Sequence, residues 1–563
     1  MLSLKRAREL IVRHLYFVGP GLVSSVAYID PGNWATDLEA GANYGYKLLF
    51  IVLLAGIAAV VLQLLSVRLG ATTSLSLPSQ TRLIFVRLQQ KYPKYRIPLQ
   101  CALYTLYALA EIAIIGTDLA ELLGSAIALN LLFPRLPLYA GVLITAADVL
   151  IILVFFRSST GRQGMLFFEI VIVSLVLAVF VSFMILLHLV KPDWRQVFLG
   201  LVPSKTLVQP GALYVGVGII GATVMPHALF LGSSLSSVDR LNMIPVPPSG
   251  TSNPKRSFKL PAVNPWSRLR RRRTSTRDNE IESTDIELRD IQIISSPLDL
   301  PSSSLGPSSS FGRSQSDLET KYEADVRSFD RIAWLDIHLL HSTIDTALSL
   351  LGFALTINAA ILTLAGAAFY YNRDADSSDA SLQGAHALIK SFLGNGAALI
   401  FALALLCAGQ SASITATLAG QVVSEGFINW KTSPFARRAV TRLIGVIPAA
   451  IVAAAVGNKG LNTMLVASQV LLSIVLPTVI FPLVYLCSRE DLMTAYGPEI
   501  VEAEAQVPLP SISTSDETRL EQLTERRKKS YKSPVWVTVL GYALFGIVVL
   551  ANGYVIVELA LGA

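Results

Sequence analysis

AYIDPGNWATDLEAGANYGY (residues 27–46) and GATVMPHALFLGSSL (221–235) each sit in a long apolar run and interrupt it, through Asp30-Pro31-Gly32-Asn33 and Met225-Pro226-His227. Proline removes a backbone donor and clashes with the preceding turn. Glycine offers no resistance to unwinding, and Gly211, Gly216, Gly218 and Gly221 precede the second break. An unwound turn in hydrocarbon frees amides and carbonyls that lipid cannot satisfy, so such backbone must line a cavity. Working outward from these breaks, segments of about 20 apolar residues, enough to span a bilayer, fall near 15–42, 47–68, 98–130, 137–156, 164–190, 211–236, 341–370, 388–426, 436–457, 461–486 and 535–560. The breaks occupy the first and sixth of these segments. Corresponding breaks point to an all-α polytopic membrane protein built as two inverted five-helix repeats plus one extra helix, with a site at the midplane. Beyond this placement the halves share no evident sequence similarity.

Composition agrees. Of 563 residues, 52% are hydrophobic and 15% charged, against about 25% charged in a soluble chain. So few charges cannot clothe a water-exposed surface, and the apolar excess must face lipid. The net charge of +7 calls for no nucleic acid, because Lys and Arg cluster between the apolar segments, as the positive-inside rule wants. That alternation puts residues 1–14 inside as a cytoplasmic tail and not a cleaved signal. It also puts the C-terminus outside or in a lumen. Cys101, Cys407 and Cys487 are too far apart for a disulfide framework or zinc ribbon. The expected organisation is membrane segments over 15–236, a disordered cytoplasmic loop over 237–335, membrane segments over 336–486, a cytoplasmic loop over 487–534 and a last helix over 535–563. The stretch 240–330 is rich in Ser and Pro and cannot bury a core. Its run of arginines (Arg268, Arg270, Arg271, Arg272, Arg273) precedes Thr274 and Ser275. These are candidates for a kinase or trafficking partner, set against the reading of a solvated tail near anionic lipid.

The chemistry concentrates at the breaks. A carboxylate within an apolar span costs roughly 2.5–3.5 kcal/mol on insertion scales, so Asp30 is read as functional and a cation as its partner. Asn33 offers a hard neutral oxygen. The sixth segment offers the freed carbonyl of Ala222 and the thioether of Met225. Oxygen cages suit Ca²⁺ and Mg²⁺, whereas soft sulfur favours transition metals. A methionine in a membrane helix also fills gaps, but beside Pro226-His227 and opposite Asp30 the ligand reading is preferred. His227 is read either as titrating near neutral pH or as a satisfied core histidine. Glu111, Asp118 and Glu121 share one face of the third segment, as a proton path or, for some of them, as interfacial anchors. Arg437 and Arg438 are their candidate partners, or positive-inside anchors. Gln63 and Gln469 are buried amides; Gln469 joins the metal ligands on closure or, alternatively, glues helices. Asp148, Glu169 and Asp345 are assigned only structural hydrogen bonds.

These residues carry a resemblance. AYIDPGNWATDLEAGANYGY (27–46), LQLLSVRLG (62–70), EIAIIGTDLAELLG (111–124), GATVMPHALFLGSSL (221–235) and GQSASITATLAGQVVSEGFINW (409–430) followed by Arg437-Arg438 resemble, in order, motifs of the Nramp family of divalent metal transporters. The resemblance implies a LeuT-type fold and cotransport of Mn²⁺, Fe²⁺ or related ions with protons. It implies no resident cofactor, the metal being cargo and H⁺ the coupling ion. It matches Asp30, Asn33, Ala222, Met225 and, when occluded, Gln469 to metal ligands. It matches His227, Asp118, Glu121, Arg437 and Arg438 to the proton-linked network. Two positions depart from it: Ala228 follows the histidine, and Gly232 stands where many members have a second histidine. A transporter-derived metal sensor signalling through its loop is the alternative. An amino-acid or Na⁺ carrier lacks a place for an organic substrate, and no nucleophile–base pair or phosphate loop suggests an enzyme. Plasma, endosomal and vacuolar membranes all fit.

Overall fold

The computed structural model describes residues 19–155, 161–240, 243–245, 322, 325, 326, 328–371, 381–429, 434–455, 458–498 and 527–561. The expected tail over 1–14 and most of the expected loops over 237–335 and 487–534, with Thr274 and Ser275, lie outside the described residues. The described chain is almost wholly helical. In order the helices are α1 (Pro20–Val26), α2 (Pro31–Tyr44), α3 (Leu49–Thr73), α4 (Leu77–Lys91), α5 (Arg96–Leu132), α6 (Leu138–Phe155), α7 (Gly161–Val190), α8 (Trp194–Gly200), α9 (Pro210–Thr223) and α10 (Pro226–Ser236). After the loop come α11 (Arg331–Ser349), α12 (Thr356–Ala365), α13 (Leu382–Leu393), α14 (Asn395–Ile428), α15 (Pro434–Ala455), α16 (Asn458–Val475), α17 (Pro477–Ser488) and α18 (Val535–Leu561). Among the described residues eight helical stretches are long and apolar enough to cross a membrane. Two shorter apolar ones, Leu138–Val149 and Arg442–Ala455, accompany them. Residues such as Val535, Leu550 and Ile97 are more than three-quarters or about three-quarters exposed, which suits a lipid-facing belt.

The first and sixth segments are both interrupted. Between α1 and α2 the chain turns through residues 27–30, and Asp30 caps α2, its carboxylate accepting from the amides of Gly32 (3.0 Å) and Asn33 (3.1 Å). Pro31 takes the first helical position, where its missing N–H costs nothing. Trp34 Nε1 donates to the Ile29 carbonyl at 3.1 Å, satisfying a group the break sets free. Its ring is fully buried and packs edge-on against Phe183 and Phe401, at 4.7 and 5.4 Å between centroids. In the sixth segment α9 ends at Thr223, Met225 is extended at ψ 129°, and Pro226 opens α10. π-helical turns at Leu350–Leu355 and Gly366–Tyr370 flank α12. Such turns recur at functional sites.

The chain divides into two compact units. The larger holds α1 to α10, the chain from His338 to Met493, and Lys532 onward. In it α5 and α14 pack along each other, and α16 packs on both α2 and α9. Close approach rests on glycine: a Cβ at Gly221 would collide with the Gln469 carbonyl, and one at Gly124 with Pro31. The smaller unit comprises Asp239–Ile337 and Thr494–Tyr531. Within it β1 (Thr494–Tyr496) pairs antiparallel with β2 (Lys528–Ser530). Asp336 meets Lys529 at 2.6 Å and accepts from the Tyr531 hydroxyl at 2.8 Å.

Candidate metal site at the helix breaks

Asn33 stands at the junction of the two breaks. Its Nδ2 donates to Asp30 Oδ1 (2.6 Å) and to the Ala222 carbonyl (2.8 Å), linking α2 to the end of α9. Its Oδ1 accepts from the Thr223 hydroxyl and from Asn358 Nδ2, both at 3.3 Å. Asn358, on α12, also donates to the Tyr28 carbonyl at 2.9 Å. Asp30, Asn33, Ala222 and Met225 are all fully buried. Gln469 belongs to the same place: a Cβ on Gly32 would run into its amide and would lie 2.7 Å from Asp30 Oδ2. Its Nε2 donates to Ser468, and its Oε1 has no partner. The structure thus gathers Asp30, Asn33, Ala222 and Gln469, with Met225 at the break three residues beyond Ala222. Among the described residues no group of three His, Cys, Asp or Glu side chains is placed to hold a metal ion; here a single carboxylate stands with the Asn33 and Gln469 amides and the Ala222 carbonyl.

A second polar group lies on α5. Asp118 forms a buried ion pair with Arg442 of α15, whose other nitrogen donates to Ser413 of α14 at 2.6 Å. The expected partners Arg437 and Arg438 fall one turn earlier on α15, and their side chains lie outside the described residues; the arginine that meets Asp118 is Arg442. Glu121 is fully buried with both oxygens unpartnered. His227 turns Nδ1 toward the Thr117 hydroxyl at 3.4 Å, and its Nε2 has no partner. Thr117 and Glu121 are one turn apart on α5, so His227 and Glu121 share a neighbourhood. At Gly232 a Cβ would meet the amide of Gln63, whose Oε1 accepts from the Tyr28 hydroxyl at 3.0 Å. That space is taken by a glutamine.

Sequence reading missed Thr223, Asn358, Thr117, Ser413 and Arg442. Two of them carried faint signals: Asn358 as an amide in the apolar run TINAAILTLA, and Arg442 as a charge within the ninth apolar segment.

The sequence model of the family described as natural resistance-associated macrophage protein-like matches residues 21–245 and 332–502. The chain belongs to the Nramp family. Its similarity to Nramp relatives runs nearly end to end. The manganese transporter pdt1 of Schizosaccharomyces pombe is 39% identical over 476 residues, which is 84% of this chain and 75% of that one. The iron transporter SMF3 of Saccharomyces cerevisiae is 34% identical over 563 residues, 99% of this chain and 98% of that one. Among solved structures, the Eremococcus coleocola manganese transporter in complex with an aromatic bis-isothiourea substituted compound superposes with a TM-score of 0.63 at 25% identity, covering 96% of this chain and 85% of that one. Membership gives the breaks their architecture, the LeuT-type inverted repeat of Nramp proteins, in an integral multi-pass membrane protein.

Proposed function

We propose that this Nramp-family chain moves divalent transition-metal ions, Mn²⁺ and Fe²⁺ among them, across a membrane together with protons. The observation that carries the reading is the Asn33 amide, which bridges the Asp30 carboxylate and the Ala222 carbonyl across the two breaks. Two oxygens that converge on one NH₂ group also converge on one cation. When a metal takes that point, Asn33 turns its oxygen inward and its NH₂ outward. Thr223 Oγ1 and the unpartnered Asn358 Oδ1 are acceptors on hand for the turned NH₂ group. Gln469 Oε1 and the Met225 sulfur complete the set. One negative charge and one soft donor favour Mn²⁺ and Fe²⁺ over hard ions without holding them too tightly to release. Curated relatives named as manganese and iron transporters support the same cargo.

Proton coupling follows from the second polar group. A cation beside Asp30 holds it ionised, so a cotransported proton needs another acceptor. Asp118, paired with Arg442, is that acceptor, with Glu121 one turn along α5 and His227 close to Thr117 on the same helix. The test is Mn²⁺ uptake into proteoliposomes, with and without an inward proton gradient, alongside an internal pH dye. Gradient-stimulated uptake with acidification is expected, and Asp118→Asn should keep part of the metal flux while losing the acidification. Uptake indifferent to the gradient would remove the coupling. Metal binding without any uptake would favour the sensor instead.

A further inference from the structure

Helix α2 holds a second buried carboxylate that the metal site leaves unused. Asp37 is fully buried, and neither of its oxygens has a hydrogen-bond partner. Helical geometry places it. At about 100° per residue, Asp30, Asn33 and Asp37 fall within roughly 60° of one another, with Asp37 about 10 Å further along the axis than Asp30. Asn33 on this face bonds Ala222 at the end of α9 and Asn358 on α12. Gly41, one turn past Asp37, presses on α12 at the Leu362 carbonyl and Ala365. Asp37 therefore faces the seam between α9 and α12, on the side of the metal site that the charge pattern puts outside. Neither α9 (PGALYVGVGIIGAT) nor α12 (TINAAILTLA) bears a Lys, Arg or His to neutralise it.

A buried carboxylate without a partner is costly, and in a membrane segment it marks a place where a cation or proton passes. Its alignment with Asp30 and Asn33 puts it on the line by which a cation from outside reaches them. The only other unpartnered acceptor near that line on α12 among the described residues is Asn358 Oδ1. Both donors are oxygens, and nothing there distinguishes a soft ion from a hard one. We propose that Asp37 is a second divalent-cation site, an unselective way-station through which the metal passes before Met225 and Asp30 select it. This rests on the metal-transport reading.

Equilibrium dialysis of purified protein with Mn²⁺ and with Ca²⁺ tests it. Asp30→Ala disables the inner site and should leave one weak site that takes both ions, and Asp30→Ala/Asp37→Asn should leave none. In proteoliposomes Asp37→Asn should raise KM for Mn²⁺ about tenfold, the loss expected for one charged contact, with kcat held within about twofold. Asp37→Glu should recover most of the loss. Asn is isosteric and removes an unpartnered charge, so thermal stability of Asp37→Asn should not fall. An Asp30→Ala protein that binds no Mn²⁺, or an Asp37→Asn protein with wild-type KM, overturns the way-station while leaving the inner site standing. Wild-type protein that binds no Mn²⁺ overturns both.

Discussion

At the scale of single residues, the atom on which the proposed selectivity rests is the Met225 sulfur. It is fully buried at the break that faces Asn33, and the other proposed ligands are oxygens that any divalent ion accepts. Replacing it with alanine leaves those oxygens in place. Met225→Ala should retain part of its Mn²⁺ uptake while Ca²⁺ becomes a competitor, read as inhibition of Mn²⁺ flux by Ca²⁺ in proteoliposomes; continued indifference to Ca²⁺ would show that sulfur is not the filter. Asn358 acts one step removed, through the orientation of the Asn33 amide. Groups that orient a metal ligand are worth about 10–100-fold in affinity, so Asn358→Leu should raise KM for Mn²⁺ by that order with a smaller change in kcat. A changed kcat with unchanged KM would place Asn358 elsewhere in the cycle. The acids Asp30, Asp118 and Glu121 were legible in the sequence because each is costly in an apolar run and so draws attention, and Met225 because it stands beside the proline that breaks the sixth segment. Asn358 and Thr223 were not, because a lone amide or hydroxyl in a membrane helix is ordinarily satisfied by a neighbouring backbone carbonyl. Arg442 was passed over for the same economy: the pair Arg437-Arg438 looks like the stronger signal on composition, yet Arg442 lies deeper in α15 and reaches Asp118.

At the scale of elements, proline alone does not make a break. Pro448 sits inside α15 and Pro482 inside α17, and both helices continue through them. Pro31 and Pro226 instead open new helices. At the first break the difference is what stands beside the proline. Asp30 takes the amides of Gly32 and Asn33, and Trp34 takes the Ile29 carbonyl, so unwinding there leaves fewer groups unsatisfied. The first break was readable because Asp30-Pro31-Gly32-Asn33 shows proline and cap together, and the second because Pro226 follows a glycine-rich run. The π turns around α12 were not, since LLGFAL and GAAFY are ordinary helical sequence and the distortion comes from packing. Helix α9 also depends on contact more than on propensity. Gly221 lies against the backbone of α16, where a Cβ would collide with the Gln469 carbonyl and stand 2.7 Å from the Ser473 amide. Backbone cannot swing aside as a side chain can, so α9 and α16 would have to part. Gly221→Ala should cost about 1–3 kcal/mol, the range for overpacking. It should appear as a lowered Tm in detergent, together with weaker Mn²⁺ binding, because Gln469 moves with its helix. A variant with unchanged Tm and affinity would mean the two helices have slack.

For the whole molecule, the question is how helices from both halves are held in register across the site. The Asp118–Arg442–Ser413 group ties α5 of the first half to α14 and α15 of the second. Arg442 is 1% exposed and Asp118 5% exposed, so solvent does little to screen the pair. Removing one member strands the other charge in a low-dielectric interior, which costs about 3–5 kcal/mol, while replacing both with apolar residues is often neutral. Arg442→Leu alone should therefore lower the Tm substantially, and Asp118→Leu likewise. The double variant should recover most of that loss, so that the coupling between the two positions reaches about 5 kcal/mol or more. Proton coupling should not recover with it. If Asp118 is the proton acceptor, the rebuilt apolar protein folds, binds Mn²⁺ at the breaks and carries it without acidifying the vesicle. Recovery of stability together with proton-coupled flux would make the pair a structural strut only. A double variant whose loss equals the sum of the two single losses would mean that Asp118 and Arg442 do not act on each other, and that the register of the two halves is set by apolar packing such as that of α5 on α14.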